Sequence, residues 1–246
     1  MLDELRRLID GSLRIIFFTG AGISTESGIP DFRSPTGIWK TNKPIDFSDF
    51  MGSGEARRET WRRKFATDPT IRAAEPNRGH RAVATLIRQG RARSVITQNI
   101  DGLHQQSGVP NGQVVELHGN TTYAACLDCG KRFEIDALRG PFERTGEAPV
   151  CDACFGYIKT ATISFGQSMP VAAMRRAEAE TLAADLFIVA GSSLVVYPAA
   201  AFPRLAKENG AGLVIVNNEA TAQDRFADLV VRAGIGDILG GAVGVN

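Results

Sequence analysis

The apolar run Ile15-Ile16-Phe17-Phe18 passes almost directly into Gly20-Ala21-Gly22. Consecutive apolar residues without alternation suit a strand buried on both faces. The turn after it lacks side chains where backbone N–H groups would have to approach a pyrophosphate, and the short helix that follows aims its positive N-terminus at the same anion. That combination is a nucleotide-binding entrance, but it departs from the dinucleotide fingerprint. Thr25 stands at the third glycine position, and Gly37-Ile38-Trp39 lies where an acidic strand end is expected about 20 residues on. A bare G-x-G is also what a simple tight turn looks like, so the remaining chain decides.

Strand-like runs alternate with helical ones. Leu2, Leu5, Leu8 and Ile9 recur at helical spacing, and Arg14 to Thr19 reads as the first strand. Residues 34 to 53 read as a long loop over the ligand. A helix follows from Glu55 to Ala66, and another opens at Pro76-Asn77 and stops at Gly90. Further strands are expected at Ser94 to Thr97, Val114 to Leu117, Thr162 to Phe165, Leu186 to Ala190, Leu213 to Asn217 and Leu229 to Val231. The pattern implies an α/β fold, a Rossmann-like doubly wound parallel sheet with helices on both faces.

Ligands bind such a sheet beyond the carboxyl ends of its strands. Polar clusters fall at those ends: Gly20 to Ser24, Gln98-Asn99-Ile100-Asp101, His118-Gly119, Gly191-Ser192-Ser193 and Asn217-Asn218-Glu219. One shared crevice accounts for all of them.

Between Ala124 and Lys159 cysteines, glycines and charges replace the long apolar runs, which marks an inserted small module. Cys126-x-x-Cys129 and Cys151-x-x-Cys154, 21 residues apart, offer two thiolate pairs on tight turns. That donor set suits one tetrahedral zinc ion, and four cysteines fill its shell, so the ion is structural. The expected division is 1–40, 79–122 and 161–246 for the sheet domain, 41–78 for a cofactor loop and helical lobe, and 123–160 for the zinc-ribbon module.

The 246-residue chain is 43% apolar, enough for a substantial core. A net charge of +1, evenly spread, argues against nucleic acid or a membrane surface as partner. The one basic cluster, Arg57-Arg58 with Trp61-Arg62-Arg63-Lys64, reads as a solvated helix face or a site for an acidic partner. Charges interrupt the N-terminal apolar residues, and the paired cysteines suit a reducing compartment, so a soluble cytoplasmic protein is expected.

With Gly20 to Arg33, Thr97 to Asp101, His118-Gly119, the cysteine quartet, Gly191-Ser192-Ser193-Leu194 and Val216-Asn217 in this order, the chain resembles the sirtuins, NAD-dependent protein lysine deacylases. The resemblance implies NAD in the crevice, an acyl-lysine entering from the opposite side, and products nicotinamide, O-acyl-ADP-ribose and free lysine. It makes His118 the base acting through the ribose hydroxyls, with Gln98 and Asn99 as further catalytic residues; a neutral imidazole with pKa of about 6.5 suits that task.

It also implies cofactor contacts from Gly20, Ala21, Gly22, Ser24, Asp31, Phe32, Arg33, Trp39, Gln98, Asn99, Ile100, Asp101, His118, Gly191, Ser192, Ser193, Asn217, Asn218, Glu219 and Ile235. Asp101 would accept from the nicotinamide amide and could also cap a helix. The acylated peptide or protein would add as a strand between Phe165-Gly166-Gln167 and Leu194-Val195-Val196. Gln167 replaces a frequent acidic residue, Thr160 a usual proline, and Tyr197 flanks the peptide. No Tyr-x-x-Arg pair accompanies Trp61, which favours acetyl and longer neutral acyl groups over succinyl. Two other readings use the same crevice: ADP-ribosyl transfer or NAD hydrolysis, and a non-catalytic NAD or ADP-ribose sensor.

Overall fold

The structure, a computed structural model, describes residues 1–32, 37–40 and 42–246. In chain order it begins with α1 (Leu2–Asp10), β1 (Ile15–Thr19), α2 (Phe47–Gly52), α3 (Gly54–Ala73), α4 (Arg78–Arg88), β2 (Ala92–Thr97), α5 (Leu103–Gln106) and β3 (Val114–Glu116). There follow β4 (Gly119–Cys126), β5 (Arg132–Glu134), α6 (Ile135–Thr145), β6 (Ile158–Thr162), α7 (Val171–Ala183), β7 (Leu186–Ala190), α8 (Phe202–Glu208), β8 (Gly212–Val216), β9 (Leu229–Val231) and α9 (Ile235–Val243).

Six strands form a parallel sheet in the order β3-β2-β1-β7-β8-β9. Side chains of successive strand residues point to opposite faces, and the core divides accordingly. Ile15, Phe17, Val95, Ile188 and Val214 pack with α1, α4 and α9, whereas Ile16, Phe18, Ile96, Phe187 and Ile215 pack with residues of α7 and α8. Strand order reverses between β1 and β7, and a doubly wound sheet opens its crevice at such a reversal.

Three antiparallel strands, β5-β4-β6, form a second sheet. Its core joins Ile158, Ile135, Leu138, Cys126 and Cys151 to Trp61 and Phe65 of α3, and Trp61 Nε1 donates to the Ile158 carbonyl at 3.1 Å.

Several expectations are corrected. Thr162 to Phe165 is not a strand of the parallel sheet. The strand runs from Ile158 to Thr162 and pairs with β4. Beyond it the chain turns, with Gln167 N–H donating to Ser164 O at 3.0 Å and Gly166 at φ +76°. The expected loop over 34–53 contains α2, begun at Phe47. The helix expected to end at Ala66 continues to Ala73 through Pro69. Proline leaves the carbonyl four residues back without its N–H partner, and Arg139 Nη1 approaches that Phe65 oxygen at 3.4 Å.

The basic cluster is compensated: Arg58 pairs with Glu55 and Glu147, and Arg62 and Arg63 with Glu59. Lys64 is buried against Asp68 at 2.6 Å and does not belong to a solvated face. Arg72 and Arg139 complete the shell of Asp68 at 2.7 and 2.8 Å. No helix among the described residues is long and apolar enough to cross a membrane.

Candidate active site

A cavity of about 550 Å³ opens at the carboxyl ends of β1, β2, β3, β7 and β8. Its size is ordinary for a small-molecule site. The turns after β1 and β7 press together at its base: a Cβ on Gly22 would lie 2.7 Å from Gly191 Cα, one on Gly20 2.7 Å from Gly191 O, and one on Gly191 2.3 Å from Ile23 N. Gly191 also has φ +70°, so glycine is required there on both counts. Thr25 Oγ1 donates to Gly22 O at 2.9 Å within a 3-10 helix, Ala21–Ser27. That tight turn replaces the first long helix of a standard dinucleotide fold, so the third fingerprint glycine has no packing role to fill.

Beside this turn, Gln98 Nε2 donates to Ser192 Oγ at 2.8 Å, joining the ends of β2 and β7. Asn99 Nδ2 donates to Gly20 O and Ser24 Oγ, each at 3.1 Å. His118 Nδ1 lies 3.0 Å from Gln98 O, and Ile163 N–H donates to His118 O at 2.9 Å. Gly119 holds φ +73°, and a Cβ there would meet Ala161 O at 2.0 Å, so the chain next to His118 requires glycine where β4 crosses β6. At one end Trp39 contacts Phe32 and Phe165 with ring centroids 5.1 and 5.4 Å apart.

Most expected residues reach the wall. Gly20, Ala21, Gly22, Asp31, Phe32, Trp39, Gln98, Asn99, Ile100 and His118 line it, as do Phe165, Gly166, Gln167, Gly191, Ser192, Ser193, Val196, Asn217, Asn218, Glu219 and Ile235. Ser24 and Asp101 stand behind it instead: Ser24 Oγ donates to Asp101 Oδ2 at 2.7 Å, and Asp101 Oδ1 accepts from Leu103 N at 3.0 Å at the start of α5. Burial pushes the Asp101 carboxyl up, against these hydrogen bonds. Leu194 is buried in the core at φ +56° and Val195 is exposed outside the cavity, so neither lines it. Arg33 lies outside the described residues. Pro44 and Ile45 belong to the loop expected over the ligand, whereas sequence reasoning missed Thr162, Ile163, Ser164, Met169 and Pro198. They carry no motif, and only folding brings them to the wall.

The four cysteine sulfurs lie within 4.8 Å of one another. Cys126 and Cys154 Sγ are 3.4 Å apart, and Cys129 and Cys151 Sγ 3.7 Å. A tetrahedral zinc with Zn–S of about 2.3 Å needs sulfur pairs about 3.8 Å apart, so the donor set fits that ion. Backbone N–H groups of Cys129 and Asp128 favour the Cys126 thiolate. Gly156 is forced, since a Cβ would lie 2.9 Å from Cys126 Sγ, and Lys131 Nζ ties the two knuckles by pairing with Asp152 Oδ1 at 2.7 Å.

Residues 20–198 match the model of the Sir2 family. The chain is 58% identical over 243 residues to an NAD-dependent protein deacetylase of Rhodopseudomonas palustris, covering 99% of this chain and 96% of that protein. It is 56% identical over 243 residues to NAD-dependent protein deacetylase 1 of Bradyrhizobium diazoefficiens, covering 99% and 95%. Among solved structures, a Sir2 variant with a deacetylated p53 peptide and 3'-O-acetyl ADP-ribose superimposes with a TM-score of 0.90, 36% identity, and 99% and 97% coverage. With more than half of its length matched by the family model and relatives above half identity along nearly all of it, the chain belongs to the Sir2 family.

Proposed function

We propose that this protein is an NAD-dependent protein lysine deacylase that yields nicotinamide, O-acyl-ADP-ribose and free lysine, with acetyl-lysine as its first substrate. The observation that carries this reading is the convergence of His118, Gln98 and Asn99 with the two facing glycine turns in one cavity. NAD supplies an electrophilic ribose carbon whose leaving group is nicotinamide. The surroundings fit it: turns without side chains for the pyrophosphate, Ser192 and Ser193 beside them, and Asn217 to Glu219 for the adenine ribose.

His118 accepts the proton that is transferred. Its Nδ1 lies against a backbone carbonyl, which only accepts, so Nδ1 carries hydrogen and Nε2 is the basic atom of the neutral ring. Asn99 is oriented by two bonds to the β1 turn, which hold it for the ribose and its water. Phe32 and Trp39 close the reacting end against solvent. The peptide strand lies along Phe165 to Gln167 and Val196, where main-chain pairing demands little of the sequence. Trp39, Phe165 and Ile45 give the acyl end an apolar wall, which favours acetyl and longer neutral chains over succinyl.

On this reading residues 1–40, 79–122 and 161–246 form the nucleotide-binding domain, 41–78 the cofactor loop and helical lobe, and 123–160 the zinc-binding domain. The cytoplasm is its compartment, because four zinc-binding thiolates need reducing surroundings.

The test is incubation with NAD and a panel of acyl-lysine peptides, with products read by mass spectrometry. O-Acetyl-ADP-ribose with strict peptide dependence of nicotinamide release is expected. Release without peptide would favour a hydrolase, and binding without turnover a sensor.

A further inference from the structure

Behind the cavity, buried side chains connect the ends of β1 and β2 to α5. Asn99 N–H donates to Thr97 Oγ1 at 3.0 Å, Thr19 Oγ1 donates to the same Thr97 oxygen at 2.8 Å, and His104 Nε2 lies 2.9 Å from Thr19 Oγ1. Thr19, Thr97 and His104 are all buried. None of the three lines the cavity, and none has a part in the chemistry above.

The direction of these bonds follows from the donors. Thr19 spends its only hydroxyl proton on Thr97, so it can meet His104 only as an acceptor. His104 therefore carries its proton on Nε2, and its Nδ1 is left without a hydrogen-bond partner. The ring packs beside His80, with the two ring centroids 5.0 Å apart, and both nitrogens of His80 are also buried without partners. Burial, with His80 next to it, keeps His104 neutral at physiological pH. An orphaned buried nitrogen is destabilising, because it gives up its hydrogen bond to water and gains none in exchange. An apolar side chain would avoid that cost, so the Nε2–H bond to Thr19 is what the imidazole contributes here.

We propose that His104 is a positioning residue for Asn99: through Thr19 and Thr97 it sets the Asn99 backbone, and with it the side chain that meets the ribose. The catalytic consequence rests on the deacylase reading; the hydrogen-bonded placement of Asn99 does not. A hydroxyl hydrogen rotates about its C–O bond, so without the His104 donor at Thr19 the Thr19 hydrogen is no longer directed to the Thr97 oxygen that accepts from Asn99 N–H. The side-chain bonds of Asn99 to Gly20 and Ser24 hold only its tip.

The experiment compares the intact protein with His104→Phe, His104→Gln and Thr19→Val. Glutamine can place an amide N–H near the position of Nε2, and valine matches the shape of threonine without the hydroxyl. Hydrogen exchange of the Asn99 backbone amide should quicken on the order of tenfold in His104→Phe and Thr19→Val and return toward normal in His104→Gln. Nitrogen-15 NMR should find His104 as the Nε2–H tautomer.

With acetyl-peptide and NAD, kcat should fall on the order of tenfold at unchanged peptide KM, and the double variant Thr19→Val with His104→Phe should be no worse than either single one. Unchanged Asn99 exchange in both single variants, or an Nδ1–H tautomer, overturns the inference whether or not the protein turns over. Absence of deacylation by the intact protein, with the exchange effect present, overturns the function and leaves the placement of Asn99 standing.

Discussion

His118 Nδ1, on the segment after β3, lies 3.0 Å from the backbone oxygen of Gln98 on the segment after β2. The bond chooses the imidazole tautomer and fixes the ring plane relative to Asn99, one residue farther along.

Replacing His118 by Phe keeps the ring volume but removes the proposed base. Deacylation should fall by about 10²–10⁴-fold, with zinc content and melting temperature close to those of the parent. Measured turnover within threefold of the parent would remove His118 from its role.

The zinc site makes a separable prediction. Metal analysis should find one zinc ion per chain, and Cys129→Ser should lower that content, since serine does not supply a thiolate. Because Cys126 and Cys151 are part of the core of the small sheet, chelation should disorder that sheet and release Trp61, seen as a change in tryptophan fluorescence. Chelation that leaves the fluorescence unaltered would argue against a structural ion.

His80 predicts acid sensitivity. Burial, aided by Arg81, lowers its pKa from 6.5 to about 4. Between those values the unfolded chain binds a proton that the folded chain refuses, so stability is full above pH 6.5 and falls as pH drops toward 4. The loss approaches about 3 kcal/mol. Urea midpoints of the parent and of His80→Phe should therefore diverge as pH falls from 7 to 4.5, with the variant holding its value better. Parallel curves would show that His80 carries no such linkage.

Lys159 predicts the opposite limb. It is buried on β6, donates to Thr162 O at 2.5 Å, and burial alone lowers its pKa from 10.5 to about 8. Below pH 8 both folded and unfolded chains hold the proton, and the fold bears the whole cost of the buried charge. Between 8 and 10.5 the unfolded chain binds more protons, so stability rises with pH. Lys159→Met should gain up to about 3 kcal/mol at pH 7, less whatever the Thr162 bonds contribute, and the gain should shrink by pH 10. A variant less stable at pH 7 would count against this balance.

Much of the architecture was readable before folding was considered. The runs Ile15 to Thr19, Leu186 to Ala190 and Leu213 to Val216 are unbroken and apolar because their strands are covered on both faces. The run at Thr162 to Phe165 misled because four residues are too few to tell a strand of one sheet from the end of a strand in another. What settled it was the pairing of Thr162 with Gly119, a partner 43 residues away in sequence. Likewise α6 went unnoticed, since Gly140 and Pro141 interrupt its pattern while packing on Phe65 supports it.

At the site the division is sharper. Strand ends carry their polar residues in sequence, so Gly20 to Gly22, Gln98 to Ile100, His118, Gly191 to Ser193 and Asn217 to Glu219 could be gathered into one crevice from strand order alone, and the cysteine spacing marked a donor set that fits a metal ion. Whether a residue in such a cluster faces the cavity or supports it from behind depends on contacts between distant segments. Ser24 turned inward because Asp101 stands 2.7 Å from it, Leu194 because the core takes its side chain, and His104 of α5 because Thr19 at the end of β1 accepts its proton. Local periodicity encodes which face of an element is apolar; it holds no information about which distant donor will meet which acceptor, and only the packed chain supplies that.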